Sequence, residues 1–547
     1  MSSTALRLVG GTVYDPANQI DGEIRDICIE EGRIVADVPD GTPTLDVKGM
    51  VVMPGGVDIH SHLASLSCNH ARRLLPEEHA ADPAARPDLS PEDLPRSGSG
   101  GTVPSTFTTG YRYAGLGYTT VFDAAVAPLS ARHSHAELDD TPCVDGGIFI
   151  LMGNDEYLLR QIAAGESDRA RDYVAWLLGS AGGYAIKIVN PGGIEAWKSG
   201  QRNLSGVDEP LAGRGVTPRN ILETLTNAGN ELGLPHPVHI HCNNLGVPGN
   251  AEVTLASMRA ISGRRAHFTH LQFHSYGGPG WKSAAASVME YVNTHPELSV
   301  DVGQVMFGPA TTITADGPVE YLLHRSSGRK WVNIDIELET GCGIVPFVYK
   351  DKAAVTALQW VVGLELFLLS QDPWRVVLST DHPNGGSFLS YPALIQLLMD
   401  RAVRDERLKQ VNPKLLAGSA LADGIGREYS LNEIAIITRA GPARLLGLKH
   451  KGHLGIGADA DVTVYSRDPD IERMFSSPRY VLKGGSLLVE DGQLRRAPAG
   501  RRLRLAPGYD TALLSDLQRY FEAYSTVSFA NYPVRDIRDE PLALKAP

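Results

Sequence analysis

Cysteine is scarce: five in 547 residues, no two at C-x-x-C spacing. Cys28, Cys68, Cys143, Cys242 and Cys342 stand singly, which removes zinc ribbons, thiolate-held iron–sulfur clusters and thioredoxin-type redox sites from consideration. An odd number of isolated thiols fits a reducing compartment. Long basic runs are also missing. The 51 Lys and Arg against 63 Asp and Glu leave a formal charge of −12, which argues against a nucleic-acid or anionic-membrane surface. No stretch approaches about 18 uninterrupted apolar residues, and the opening Met-Ser-Ser-Thr-Ala has neither a basic nor an apolar leader region. These features read as a soluble, cytoplasmic protein. Internal repeats are absent, and low complexity is confined to residues 80–104. With 43% hydrophobic and 21% charged residues the chain is too apolar to be disordered, and at roughly 150 residues per domain it has room for two to four.

Residues 1–53 read as short strands separated by turns at Gly10-Gly11 and Glu31-Gly32. From residue 54 to about 440, strand-like runs such as Tyr184-Ala-Ile-Lys-Ile-Val and Pro237-Val-His-Ile-His alternate with helical patterns, which predicts βαβ units and a parallel sheet. An irregular segment at 66–104, rich in Pro, Arg, Asp and Ser, interrupts this region as an insertion. Strands return within 441–505, and 506–547 carries one helix and a polar tail.

The strongest local signal is Pro54-Gly-Gly-Val-Asp-Ile-His-Ser-His62. Residues i and i+2 of a strand share a face, so His60 and His62 project together and offer half a tetrahedral metal shell. An isolated H-x-H is weak, but other candidates join it. Lys187 lies inside an apolar strand, where an ammonium must be paired, deprotonated or modified. His239 and His241 repeat the H-x-H pattern, His267, His270 and His274 follow, and Asp381 closes Val376-Val-Leu-Ser-Thr-Asp. Each falls near the C-terminal end of a predicted strand, where a (β/α)8 barrel builds its active site. The intervals His62–Lys187, Lys187–His241, His241–His270 and His270–Asp381 are 125, 54, 29 and 111 residues. At about 31 residues per βα unit these suit strands 1, 4, 5, 6 and 8. His239 and His241 share a face, and His241, nearer the strand end, is preferred. His267 and His274 read as core or supporting histidines, and His133-Ser-His135 lies in a polar segment and reads as incidental. Asn190, Asn243 and Asn244 follow strands and suit either substrate orientation or ordinary turn chemistry. His382 is a further candidate beside substrate.

These motifs resemble the amidohydrolase superfamily. The likeness extends to Val51-Val-Met-Pro-Gly-Gly-Val before the site and Gly455-Ile-Gly-Ala-Asp-Ala-Asp-Val after it. It implies a metal-dependent TIM barrel with a small β-domain built from both chain termini. Within the superfamily, Met152-Gly-Asn-Asp-Glu-Tyr, Lys187-Ile-Val-Asn-Pro-Gly-Gly, His270-Leu-Gln-Phe-His-Ser-Tyr-Gly and Ser379-Thr-Asp-His-Pro-Asn-Gly-Gly are similar to the A-type subunits of formylmethanofuran dehydrogenases. The hydrolase subunits of formyltransferase/hydrolase complexes are of the same type. The resemblance implies two divalent metals, zinc by the His-rich shell, held by His60, His62, Lys187, His241, His270 and Asp381. Lys187 would be carboxylated and bridge the metals, and Asp381 would shuttle the proton. The implied reaction is hydrolysis of an N-formyl amide on a methanofuran-type C1 carrier, beside other subunits of which one is formyltransferase-like. A cyclic amidohydrolase of the dihydropyrimidinase or dihydroorotase kind, and a scaffold that has lost its metals, are the alternatives.

Overall fold

A computed structural model describes residues 5–75, 100–201, 204–314, 316–328, 332–333 and 343–544. Residues 76–99, the greater part of the expected insertion, and Cys342 lie outside them. Eight parallel strands lie side by side in chain order: β1 (Gly56–Ser61), β2 (Tyr118–Val126), β3 (Asp145–Leu151), β4 (Ala185–Val189), β5 (Val238–His241), β6 (Ala266–Phe268), β7 (Leu298–Asp301) and β8 (Val376–Val377). A bridge from Ser61 to His382, with the His62 N–H donating to the His382 carbonyl at 2.8 Å, joins the last strand's continuation to the first. The result is the expected (β/α)8 barrel. Its strands are buried almost without exception, as a parallel sheet covered on both faces requires. Helices such as α1 (Ser167–Ala181), α2 (Pro218–Glu231) and α3 (Ala354–Leu369) form the outer layer. The α2 start is written in the sequence: Thr217 and Asn220 form a reciprocal capping box ahead of Pro218.

The long interval before Asp381 holds β7 and an inserted antiparallel sheet, in which Gly308–Thr314 and Val332–Asn333 flank Gly343–Tyr349 and Thr312, Ile313 and Thr314 reach the cleft at the C-terminal end of the barrel. The strands of both termini make one mixed sheet. Val51–Pro54 pairs antiparallel with Val462–Tyr465, and Leu8, Val13, Ile29, Val52, Val462 and Leu482 form its own core. A buried ionic layer ties this sheet to the opposite, N-terminal end of the barrel. Lys451 Nζ lies 2.7 Å from Asp145 and 2.8 Å from Asp461, and Lys483 Nζ 2.8 Å from Asp145. Three carboxylates cluster here (Asp145, Asp459, Asp461), but these lysines and Arg501 already neutralise them. Near the C-terminus, the helix Leu513–Tyr524 lays Phe521 against Trp176 of α1. Among the described residues no helix is long and apolar enough to cross a membrane.

Candidate active site and metal centre

The C-terminal ends of the strands open into a cleft with about 820 Å3 of empty space. His60, His62, Lys187, His241, His270 and Asp381 all line it. His60 on β1 and His62, the first residue beyond it, project to one side as the two-residue period predicts, and both meet Asp381. His60 Nε2 stands 3.0 Å and His62 Nε2 3.1 Å from Asp381 Oδ1. Asp381 is presented by a turn beyond β8 at φ +52°, and the Ser379 hydroxyl accepts its N–H at 2.8 Å. His270 adopts φ +34° just past β6. Left-handed backbone at a non-glycine residue costs on the order of 1–3 kcal/mol, and such strain gathers at functional sites.

The electrostatics separate these groups. Burial lowers the His60 pKa, but the Asp301 and Asp381 carboxylates outweigh it and hold the imidazole up at about 9. Burial takes His270 down to about 3 and His241 well below its ordinary value, so both are neutral lone-pair donors at neutral pH. Lys187, on β4, is buried, and its Nζ donates to Thr269 Oγ1 at 3.3 Å. Desolvation pulls its pKa down to about 7, against the pull of Asp301, Asp381 and Asp123.

His239 and His241 divide their roles. His239 points into the barrel, with its two nitrogens against His236 and His60 at 3.0 and 3.1 Å. His241 faces the cleft, and its Nε2 is buried with no hydrogen-bond partner. His267 bonds Ser299 and Asp301 beneath the site. His133 and His135 lie on the helix Ala131–Asp139 away from the cleft.

The asparagines stand in turns after their strands. Asn190 and Asn244 have φ of +48° and +61°. The Asn243 amide donates to Asn190 Oδ1 at 2.8 Å, and the Asn244 amide to the Leu204 carbonyl at 2.7 Å. None of the three lines the cleft, because their side chains brace the loops after β4 and β5. His382 is likewise turned aside. Its ring packs edge-on against Phe388 with centroids 4.8 Å apart, and its carbonyl closes the barrel.

Two carboxylates at the site are not singled out by the sequence pattern. Asp301 ends β7 and accepts from His60, His267 and the His270 N–H. Asp123, on β2, collects the N–H groups of Leu63, Ala64 and Ser65 at 3.0, 2.7 and 2.9 Å on one oxygen. Both signals were present, since each is a carboxylate in an apolar strand like that ending at Asp381. His274, which reads as a core or supporting histidine, is buried, and neither of its nitrogens has a hydrogen-bond partner.

The donor set fits divalent metal ions. His60 Nε2 approaches Asp381 without hydrogen-bonding geometry, and His241 Nε2 and His270 Nδ1 are buried without partners. Buried polar nitrogens left this way point to an ion or water between them. His60, His62 and Asp381 form one group whose ligand atoms lie within 4.8 Å of one another; His241, His270 and His274 form a second. Neutral imidazoles with carboxylate oxygen suit zinc-like ions. The remaining cleft wall is mainly apolar, with Leu66, Leu151, Val189, Leu245, Phe273 and Ile313.

Comparison with known proteins places this geometry in context. The profile of the amidohydrolase family matches residues 44–489. The chain is 45% identical to Protein FwdA of Methanocaldococcus jannaschii, over 96% of each chain. It is 40% identical to a subunit of the formyltransferase/hydrolase complex Fhc of Methylorubrum extorquens, over 94% of each. It also superposes on a chain of the crystal structure of the Methylorubrum extorquens FhcABCD complex with methylofuran. That match has a TM-score of 0.92 at 38% identity and covers 99% of this chain and all of the other.

Proposed function

The chain belongs to the amidohydrolase family, and on that premise we propose that it hydrolyses the N-formyl amide of a methanofuran-type C1 carrier, yielding formate and the free carrier amine. The observation that carries this reading is the full-length likeness to one component of a formyltransferase/hydrolase complex, at a site with a complete set of metal-compatible donors.

His60, His62 and Asp381 would hold one divalent ion, and His241 with His270 a second; zinc suits this set. Such ions supply Lewis acidity, making water a nucleophile at neutral pH and polarising the formyl oxygen. Lys187 would serve as a carbamate. Its low pKa lets the ammonium lose one proton near neutral pH; the free amine would add carbon dioxide and lose a second, so that a cationic side chain becomes an anionic one beside the metal donors. Asp381 would act as base and then acid, taking a proton from the attacking water and delivering it to the departing nitrogen. In that sequence a C–O bond forms, the C–N bond breaks, and the carrier leaves as its amine. The apolar wall would exclude bulk water and seat the uncharged part of the carrier beside its formyl group.

The chain would work in the cytoplasm beside a formyltransferase-like partner, which would set the direction of net flux. The four described cysteines are free thiols, in keeping with that compartment. The deciding experiment measures formate and free amine from formylated carrier, using the protein with its native partners before and after chelation. Chelator-sensitive formate release is the expected result. Ring opening of dihydropyrimidines without formate release would transfer the chain to the cyclic amidohydrolases, and a protein binding no metal would make it a scaffold.

A further inference from the structure

Beneath the cleft lies a layer of buried imidazoles that the reaction does not use. His236 Nδ1 is 3.0 Å from the Leu445 carbonyl, His236 Nε2 is 3.0 Å from His239 Nδ1, and His239 Nε2 is 3.1 Å from His60 Nδ1. A carbonyl only accepts, so the order of protons along this chain is forced. His236 donates from Nδ1 and accepts at Nε2, and His239 donates from Nδ1 and accepts at Nε2. His60 must therefore carry its proton on Nδ1. Asp301 imposes the same condition from another side. Its Oδ2 lies 2.9 Å from His60 Nδ1 and 3.1 Å from His267 Nε2, while its Oδ1 accepts the His270 N–H at 2.7 Å. All these side chains are buried.

We infer that Asp301 and the His236–His239 chain are positioning residues that lock His60 in its Nδ1–H form, so that the Nε2 lone pair faces Asp381 and is committed to a metal ion. With Nδ1 already donating, Nε2 and the Asp381 oxygen 3.0 Å away need a positive charge between them, supplied by a proton or a metal. A carboxylate behind a ligating histidine fixes its ring and raises its basicity, and removing such a partner typically costs 10–100-fold in metal affinity. Asp301 adds a second duty, since the N–H it accepts holds the strained backbone of His270, a donor on the other side of the cleft.

This inference rests on the metal-hydrolase reading, and the test separates the two. The full-length protein, stripped with a chelator, is titrated with Zn2+ against a chromophoric competitor, and with Co2+ as a spectroscopic probe. In Asp301→Asn, if the amide oxygen stays on the His270 N–H, the NH2 group meets two N–H donors, and His60 is driven to protonate Nε2. The expected result is a folded protein in which one Zn2+ site weakens 10–100-fold with altered Co2+ bands. His239→Phe, which fills the space and leaves Asp301 in place, should weaken the same site by less. The double variant should lose less than the two losses combined, because both act on one proton. Wild-type affinity at both sites in folded Asp301→Asn overturns the inference. Should that variant not fold, wild-type affinity in His239→Phe overturns it alone. A purely structural role would lower melting temperatures and leave the affinity of the folded protein unchanged. Wild-type protein that binds no Zn2+ would instead defeat the metal reading itself.

Discussion

In the proposed reaction Lys187 and Asp381 would carry different parts of the chemistry, and single substitutions separate them. Lys187 sits between Ile186 and Ile188 in a fully buried strand, where a permanent ammonium is costly. As a bridging carbamate it would be a ligand to both ions, so Lys187→Ala should lose most bound metal and activity, and short-chain carboxylic acids should restore part of both. Full metal content in that variant, measured by elemental analysis, would end the carbamate reading. Asp381→Asn keeps the shape and one oxygen donor but can neither take nor deliver the proton. General acid–base contributions run from about 10² to 10⁴, so turnover at saturating carrier should fall on the order of 10³ or more, with much of the metal retained. The ring of the neighbouring His382 packs against Phe388 and does not line the cleft. The motif residues were legible because family spacing and strand period both pointed to them. Asp301 was not, because a single Asp ending Leu-Ser-Val-Asp has no visible partner until β6 and β1 are brought beside β7.

At the scale of elements, α3 shows how a buried charge couples an outer helix to pH. This helix is apolar almost all round, yet it carries Glu365, nearly fully buried and accepting from the Ser283 hydroxyl and the Ala420 N–H. Desolvation raises its pKa to about 7 against an ordinary 4.5. A carboxyl with a raised folded pKa favours the native state at low pH. As pH climbs from 4.5 through 7, the unfolded chain ionises first and stability falls, by up to about 3 kcal/mol once pH exceeds 7. Glu365→Gln retains an acceptor for Ala420 and removes that loss. It should raise the urea midpoint at pH 8 and leave it nearly unchanged at pH 4.5; an equal shift at both values would assign the effect to packing instead. Nothing in the sequence of α3 announced this, since a lone Glu in an apolar helix reads as an exposed position until its neighbours are known.

On the scale of the whole molecule, the cleft and the ionic layer occupy opposite ends of one barrel. The candidate metal donors stand at the C-terminal end, and the β-domain clamps the N-terminal end through Lys451, Lys483 and Asp145. Metal removal should therefore abolish formate release while leaving the β-domain attached. The measurement is circular dichroism and hydrodynamic radius of chelated protein, and expansion or lost secondary structure would show the ions to be structural. Partnership is the other molecular prediction. Isolation from its native source should yield a stable assembly with a formyltransferase-like partner, and a fully active monomer would count against the proposed role.

Much was determined by the sequence alone. The alternation of strands and helices, the spacing of His62, Lys187, His241, His270 and Asp381, and the strand-like ends of the chain are local or regularly repeated signals, and they led to the barrel and the donor set. Tertiary structure decided which of two histidines on one strand face looks into the cleft and which looks into the barrel. It also decided that three asparagines brace loops and that Asp301 stands behind His60, a contact between residues 241 positions apart. It brought Val51–Pro54 beside Val462–Tyr465 and Ser61 beside His382. Periodicity states which way a side chain points from its own strand; what it meets there depends on how the barrel closes, and closure is set by packing between segments far apart in the chain.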